Sequence, residues 1–155
     1  MALRPRGPHC DPFRVRRRMA HILIIEDYPD NRHVTKMILA DVGHTVSSAS
    51  DAVRGLYLAA RDQPDLILMD FALPRLDGWA ATQSLKAYPL TWHIPVVAFT
   101  AHVTQEDIAR ASAAGCVAVI TKPFEIDTLL NTVATVLASS AAPWRERAVG
   151  RDWEL

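Results

Sequence analysis

Five residues of this chain, Glu26, Asp27, Asp70, Thr100 and Lys122, share one setting: each stands where a short apolar run stops. Glu26 and Asp27 follow "ILII", Asp70 closes "LILM", Thr100 closes "VVAF", and Lys122 follows "AVIT". Three carboxylates brought close together cannot all stay ionised unless a cation neutralises them or their pKa values rise. A hard divalent ion resolves that repulsion, and Mg2+ does so with few protein ligands while keeping several waters. A metal beside a carboxylate nucleophile suits phosphoryl transfer, with ion, lysine and hydroxyl each taking a phosphoryl oxygen. In that chemistry Asp70 supplies the attacking oxygen and becomes an aspartyl phosphate.

Each residue also has a plainer reading. Asp70 alone could be a helix cap or a loop residue, as strand-end aspartates usually are. Glu26 and Asp27 could be a polar strand end, Lys122 a surface lysine, and Thr100 one more β-branched strand residue. The set outweighs its members, because all five fall at the same end of successive strands.

The elements that must hold them alternate with a regular beat. Short runs at His21–Ile25, Thr45–Ala49, Leu66–Asp70, Pro95–Thr100 and Val117–Thr121 read as strands. Helical patterns separate them. Asn31–Val42 carries Val34, Met37, Ile38 and Val42 on one face, and Gly43 stops it. Ser50 is the expected cap of a second helix with an inner stripe of Val53, Leu56, Tyr57 and Ala60. Gly78–Tyr88 and Gln105–Ala114 follow, the latter with a weak, small-residue face. Glu125–Leu137 closes the series, with Ile126, Leu129, Leu130, Val133 and Leu137 at helical spacing. Strands apolar throughout imply a parallel sheet covered on both faces, a doubly wound α/β domain. Ligands of such sheets bind beyond the carboxyl ends of the strands, where the five residues lie.

Composition narrows the alternatives. The chain has 155 residues, half of them apolar, which is one domain with a real core. Its formal charge is zero but unevenly spread: six arginines and Asp11 fall in the first eighteen residues. The remainder carries eleven Lys/Arg against sixteen Asp/Glu, a net of −5, which argues against nucleic acid as the main partner of the folded part. Cys10 and Cys116 are too few for a disulfide framework and fit a reducing compartment. No run is long enough to span a membrane, and the basic start lacks the apolar core of a secretory signal. Residues 1–18, with Pro5, Pro8 and Pro12, read as a solvated arm that could lie upstream of a true start at Met19. The domain is expected over 20–139, and 140–155 is a charge-mixed tail in which Trp144 and Trp153 alone suggest docking.

The stretches "ILIIEDYPDNR", "DLILMDFALPRLDG", "IPVVAFTA" and "ITKPF" together resemble the receiver domain of bacterial two-component response regulators. The resemblance runs from about Ala20 to Ser139 with its motifs in order. It implies a flavodoxin-like sheet of five parallel strands in order 2-1-3-4-5 with five helices. It implies that Asp70 takes a phosphoryl group from a phosphohistidine on a sensor histidine kinase or histidine phosphotransfer protein. Mg2+ would be arranged by Glu26, Asp27, Asp70 and the backbone carbonyl of Ala72, and the phosphoryl oxygens bound by Thr100 and Lys122. The Lys122–Pro123 bond is expected to be cis, aiming the lysine inward. Output would run from Thr100 to the face made by the fourth helix, fifth strand and fifth helix, which protein partners read. His102 and Ala72 are candidates for tuning the phosphoryl lifetime. One departure stands out: the family often has Tyr or Phe three residues before the lysine, and here that position is Val119.

The expected protein is therefore a cytoplasmic, stand-alone phosphoacceptor that assists its own phosphorylation and dephosphorylation but turns over no external substrate. A relay shuttle to a histidine phosphotransfer protein is the nearest alternative, and Val119 leans slightly toward it. A haloacid-dehalogenase-like phosphatase would want a second acid two residues after Asp70, where Ala72 stands. An intact set of five argues against a fossil interaction domain. DNA binding through the arginine arm is a further alternative that a salt-dependent shift would expose. The weak face of Gln105–Ala114 is compatible with a monomer or a homodimer.

Overall fold

An apolar strand needs cover on both sides, and the sheet has it. The computed structural model describes residues 19–73, 76–101 and 104–140. Its strands are β1 (His21–Ile25), β2 (Thr45–Ala49), β3 (Leu66–Asp70), β4 (Val96–Thr100) and β5 (Ala118–Thr121). The helices are α1 (Pro29–Asp41), α2 (Ala52–Asp62), α3 (Gly78–Ala87), α4 (Gln105–Ala114) and α5 (Ile126–Ser140). All strand pairs are parallel and the order is β2-β1-β3-β4-β5. Strand order reverses between β1 and β3, so the crevice for a ligand opens at their carboxyl ends.

Side chains alternate between the two faces of each strand and feed two cores. Leu23, Ile25, Ile67, Met69, Val96 and Ala98 pack with Leu58 and Ala59 of α2, Ala81 and Leu85 of α3, and Ala111 of α4. Ile22, Ile24, Leu66, Leu68, Val97 and Phe99 pack with Leu39 of α1 and Leu129, Val133 and Leu137 of α5. The register is what matters for the site: Ile25 lies beside Met69, Asp70 beside Phe99, and Thr100 beside Thr121. Residues that follow β1 and end β4 therefore flank the end of β3, and the residue that follows β5 lies one strand further out.

Four expectations about the helices need correction. Val34 and Met37 of α1 are more than half exposed, and the buried positions are Thr35 and Leu39, with Ile38 half-buried. Val53 and Tyr57 of α2 are likewise exposed, whereas Ala52, Gly55, Leu58 and Ala59 face the sheet. The cause is close approach: a Cβ on Gly55 would sit 2.4 Å from Ile25 Cδ1, so α2 sets Ala52, Gly55 and Ala59 against the sheet beside Leu58 and leaves Val53 and Tyr57 outside. The cap of α2 is Asp51, whose carboxylate accepts from the Arg54 N–H at 2.8 Å, and Ser50 precedes it. In α5 Ile126 is exposed and Val136 takes its place in the buried stripe. Element ends also move by one to three residues: α1 begins at Pro29, α3 ends at Ala87, β4 begins at Val96, β5 at Ala118, and α5 runs Ile126–Ser140. The arm 1–18, the tail beyond Ser140 and His102 lie outside the described residues.

Candidate phosphoacceptor site

Backbone ladders continue past the strands and set the mouth. The Glu26 N–H donates to the Ala49 carbonyl (3.1 Å), Phe71 N–H to Phe99 (3.0 Å), and Lys122 N–H to Thr100 (2.7 Å). These bonds fix Glu26, Phe71 (next to Asp70) and Lys122 at the ends of β1, β3 and β5. Glu26 and Asp70 are buried, Asp27 is exposed, and Thr100 and Lys122 are half-buried. One ligand oxygen from each of Glu26, Asp27 and Asp70 can be chosen so that all lie within 4.8 Å of one another.

Lys122 ties two of the three together. Its ammonium donates to Glu26 Oε2 and stands 3.4 Å from Asp70 Oδ2. The remaining oxygens meet backbone donors: Tyr28 N–H to Glu26 Oε1 (3.2 Å) and Ala72 N–H to Asp70 Oδ1 (2.9 Å). Burial nonetheless pushes the Glu26 carboxyl up to about 7, and the neighbouring Asp70 adds to it while Lys122 pulls the other way. Three carboxylates so close together, two of them buried, fit a hard divalent cation, which would share the neutralising that Lys122 provides. The Lys122–Pro123 bond is cis. Phe124 stacks on Phe99 with ring centroids 5.3 Å apart, fixing the loop on which Lys122 sits.

Two further residues of the site, Arg32 and Gly78, close stretches that carry the resemblance but were given no role of their own there. Arg32, on the first turn of α1, donates to the Glu26 carbonyl (2.8 Å) and the Asp27 carbonyl (3.4 Å) and so pins the acidic loop. Gly78, the first residue of α3, is needed for space. A Cβ there would lie 2.7 Å from the Asp70 carbonyl oxygen and 2.4 Å from Phe71 Cδ1. An arginine six residues after Glu26, on the facing turn of the next helix, is the only hint the sequence offered for the first. Nothing in residue spacing marks the second.

At the flank of the site, Val119 is half-buried against the first core, and an open cleft of about 380 Å3 lies beside it, bounded by Ile108, Ser112, Cys116 and Val117. Cys116 is a free thiol, and burial pushes it up to about 11, so it stays protonated and quiet at neutral pH. No helix among the described residues is long and apolar enough to cross a membrane.

Comparison with known proteins gives one consistent answer. Residues 22–134 match the model of the response regulator receiver domain. Protein PilH of Pseudomonas aeruginosa is 36% identical over 120 residues, covering 77% of this chain and 99% of PilH. The polar-differentiation response regulator DivK of Brucella anthropi is 32% identical over 119 residues, covering 77% and 97%. Longer relatives are matched over about half their length or less. Among solved structures, the receiver domain of the sensor histidine kinase PA1611 from Pseudomonas aeruginosa aligns with a TM-score of 0.72 at 31% identity. The alignment covers 78% of this chain and 99% of that one, and that structure has a magnesium ion coordinated in its active-site cleft.

Proposed function

The chain belongs to the response regulator receiver domain family, and from that premise we propose that Asp70 accepts a phosphoryl group from a phosphohistidine on a sensor histidine kinase or phosphotransfer protein. The observation that carries this reading is the close trio of carboxylates with Lys122 reaching between two of them. An Asp70 oxygen forms the new P–O bond as the P–N bond of phosphohistidine breaks, and imidazole departs. Lys122 is within reach of the oxygens that gain charge, and Thr100, one rank away, offers them a hydroxyl. Glu26, Asp27, Asp70 and the Ala72 carbonyl would hold Mg2+, which when bound supplies neutralising charge to the phosphoryl group.

Arg32 and Gly78 act by positioning: they fix the loops that carry Asp27 and Asp70. The protein assists its own phosphorylation and dephosphorylation and turns over no external substrate. Its match to nearly the whole of PilH and DivK supports a stand-alone regulator that works by protein–protein contact. The contact face would be α4, β5 and α5, with Thr100 as its link to the mouth. Without an aromatic ring at Val119, that link runs through backbone and loop shifts. A shuttle role uses the same chemistry in reverse direction to a second histidine. We place the reaction in the cytoplasm, the reducing setting its sparse cysteines fit.

Incubation with a small phosphodonor and Mg2+, followed on a phosphate-affinity gel, tests the reading. One acid-stable, base-labile phosphate is expected on the wild type and none after Asp70→Ala or with chelator. Labelling that persists in Asp70→Ala would overturn it.

A further inference from the structure

Phe71, the residue after Asp70, reaches α4 through one intermediate side chain. Asp70 Oδ1 accepts the Ala72 N–H at 2.9 Å, so the carboxylate itself holds the turn on which Phe71 sits. Phe71 is buried, and its ring meets the indole of Trp79 edge-on, with centroids 4.3 Å apart and planes at 64°. There is no slack behind that pair: a Cβ on Gly78, the residue before Trp79, would lie 2.4 Å from Phe71 Cδ1. A displacement of Phe71 is therefore taken up by Trp79, because closely packed groups change seats and do not compress.

Trp79 is half-buried, and α4 supplies a cation on its ring. The Arg110 guanidinium carbon lies 4.4 Å from the indole centroid, a cation–π contact made by an exposed side chain. α4 is a helix that such a contact can steer. Its buried residues are Ala111 and Ala114, and Ile108 is 46% exposed, so little apolar area fastens it to the sheet. α5, by contrast, is seated by Leu129, Val133 and Leu137. On the β5 side of α4 the cleft of about 380 Å3 beside Ile108 and Ser112 leaves room for the helix to shift.

We propose that Phe71, Trp79 and Arg110 form a relay that sets the hold on α4 according to whether Asp70 carries a phosphoryl group. The inference rests on the phosphoacceptor reading and adds a side-chain route, on the α3 side of α4, to the backbone route from Thr100. Phosphoryl attachment places new bulk and charge on the carboxylate that holds the Ala72 N–H, which reorients the turn at Phe71. Trp79 follows Phe71, the Arg110 stack opens, and α4 is released from its α3 side. Trp79 and Arg110 act by position alone. Because such coupling is reciprocal, loss of the stack also favours the phosphorylated form.

The test is pulsed amide exchange on the full chain with acetyl phosphate and Mg2+, with the intact mass of the same samples giving the extent of phosphorylation. In the wild type, phosphorylation should speed exchange in 105–114 several-fold. Trp79→Leu and Arg110→Gln should exchange fast there before any phosphate is added and gain little on phosphorylation. Both should take up phosphate at least as fully as the wild type. Arg110→Lys, which keeps a cation over the ring, should restore part of the response. Arg110 is exposed, so its variants keep the test open if Trp79→Leu fails to fold. A full-sized response in either variant, or none in a phosphorylated wild type, would overturn the relay and leave the phosphoacceptor reading standing. A wild type that gains no phosphate would overturn both.

Discussion

The mouth at β1 and β3 and the flank at β5 and α4 begin from the same material, buried aliphatic strands, and use space in opposite ways. At the mouth the carboxylates of Glu26 and Asp70 are spoken for on both sides, by Lys122 and by backbone N–H groups, and even a methyl group on Gly78 has no room. At the flank Val119 faces a cleft of about 380 Å3 in which a larger side chain would fit. The mouth is held tightly here while the flank, through which the proposed output would run, is loosely filled. A chain can keep the first and vary the second, since a few tenths of an ångström matter to reacting atoms and far less to a surface that a partner can remould.

The comparison can be broken at its strong end first. Lys122→Met removes the only cation seen between Glu26 and Asp70 among the described residues and should slow phosphoryl uptake by about 10²–10³-fold. Stopped-flow uptake from a small phosphodonor would show it; a rate within a few-fold of wild type would mean the mouth is less tightly built than its contacts suggest. Next comes packing. Gly78→Ala forces the Asp70–Phe71 backbone to shift, at a cost of about 1–3 kcal/mol in denaturant unfolding, and slows uptake as well.

A smaller effect follows from Glu26. The folded protein raises this carboxyl from its ordinary 4.5 to about 7, so the fold holds the proton more tightly than the unfolded chain does. Without added cation, that contribution to stability is full below about 4.5 and is lost as pH rises through about 7. Proton and metal compete for the same oxygens, so the thermal shift produced by Mg2+ should be small below pH 7 and grow above it. A shift independent of pH across that range would remove Glu26 from the metal set. The smallest effect is expected at the flank: Val119→Tyr, entering open space, should change stability by less than about 1 kcal/mol and leave the uptake rate near wild type. A large loss in either would show that the flank is as closely packed as the mouth.

Much of this contrast was legible in the sequence, for identifiable reasons. β1 and β3 were read to the residue because parallel strands covered on both faces leave uninterrupted aliphatic runs with polar ends, and the edge strand β2 was read between its flanking helices. The five site residues were legible for the same reason, as each sits where such a run stops. Helix faces were misread where a helix lies close to the sheet: Gly55 and Ala59 make room for β1, so Val53 and Tyr57 point outward against their hydrophobicity. Arg32 and Gly78 escaped because they act on backbone, the one through carbonyl contacts and the other by lacking atoms, and neither leaves a periodic pattern in side-chain type. His102, a candidate for lifetime tuning, falls outside the described residues.

In the proposed reaction one carboxylate among three close neighbours carries the phosphoryl group. Borohydride reduction of the phosphorylated protein converts an acyl phosphate to an alcohol, and peptide mass spectrometry then locates the altered residue. Modification is expected at Asp70 alone, abolished by Asp70→Asn and dependent on Mg2+. Modification at Glu26 or Asp27, or at Asp70 with no need of a divalent ion, would contradict it.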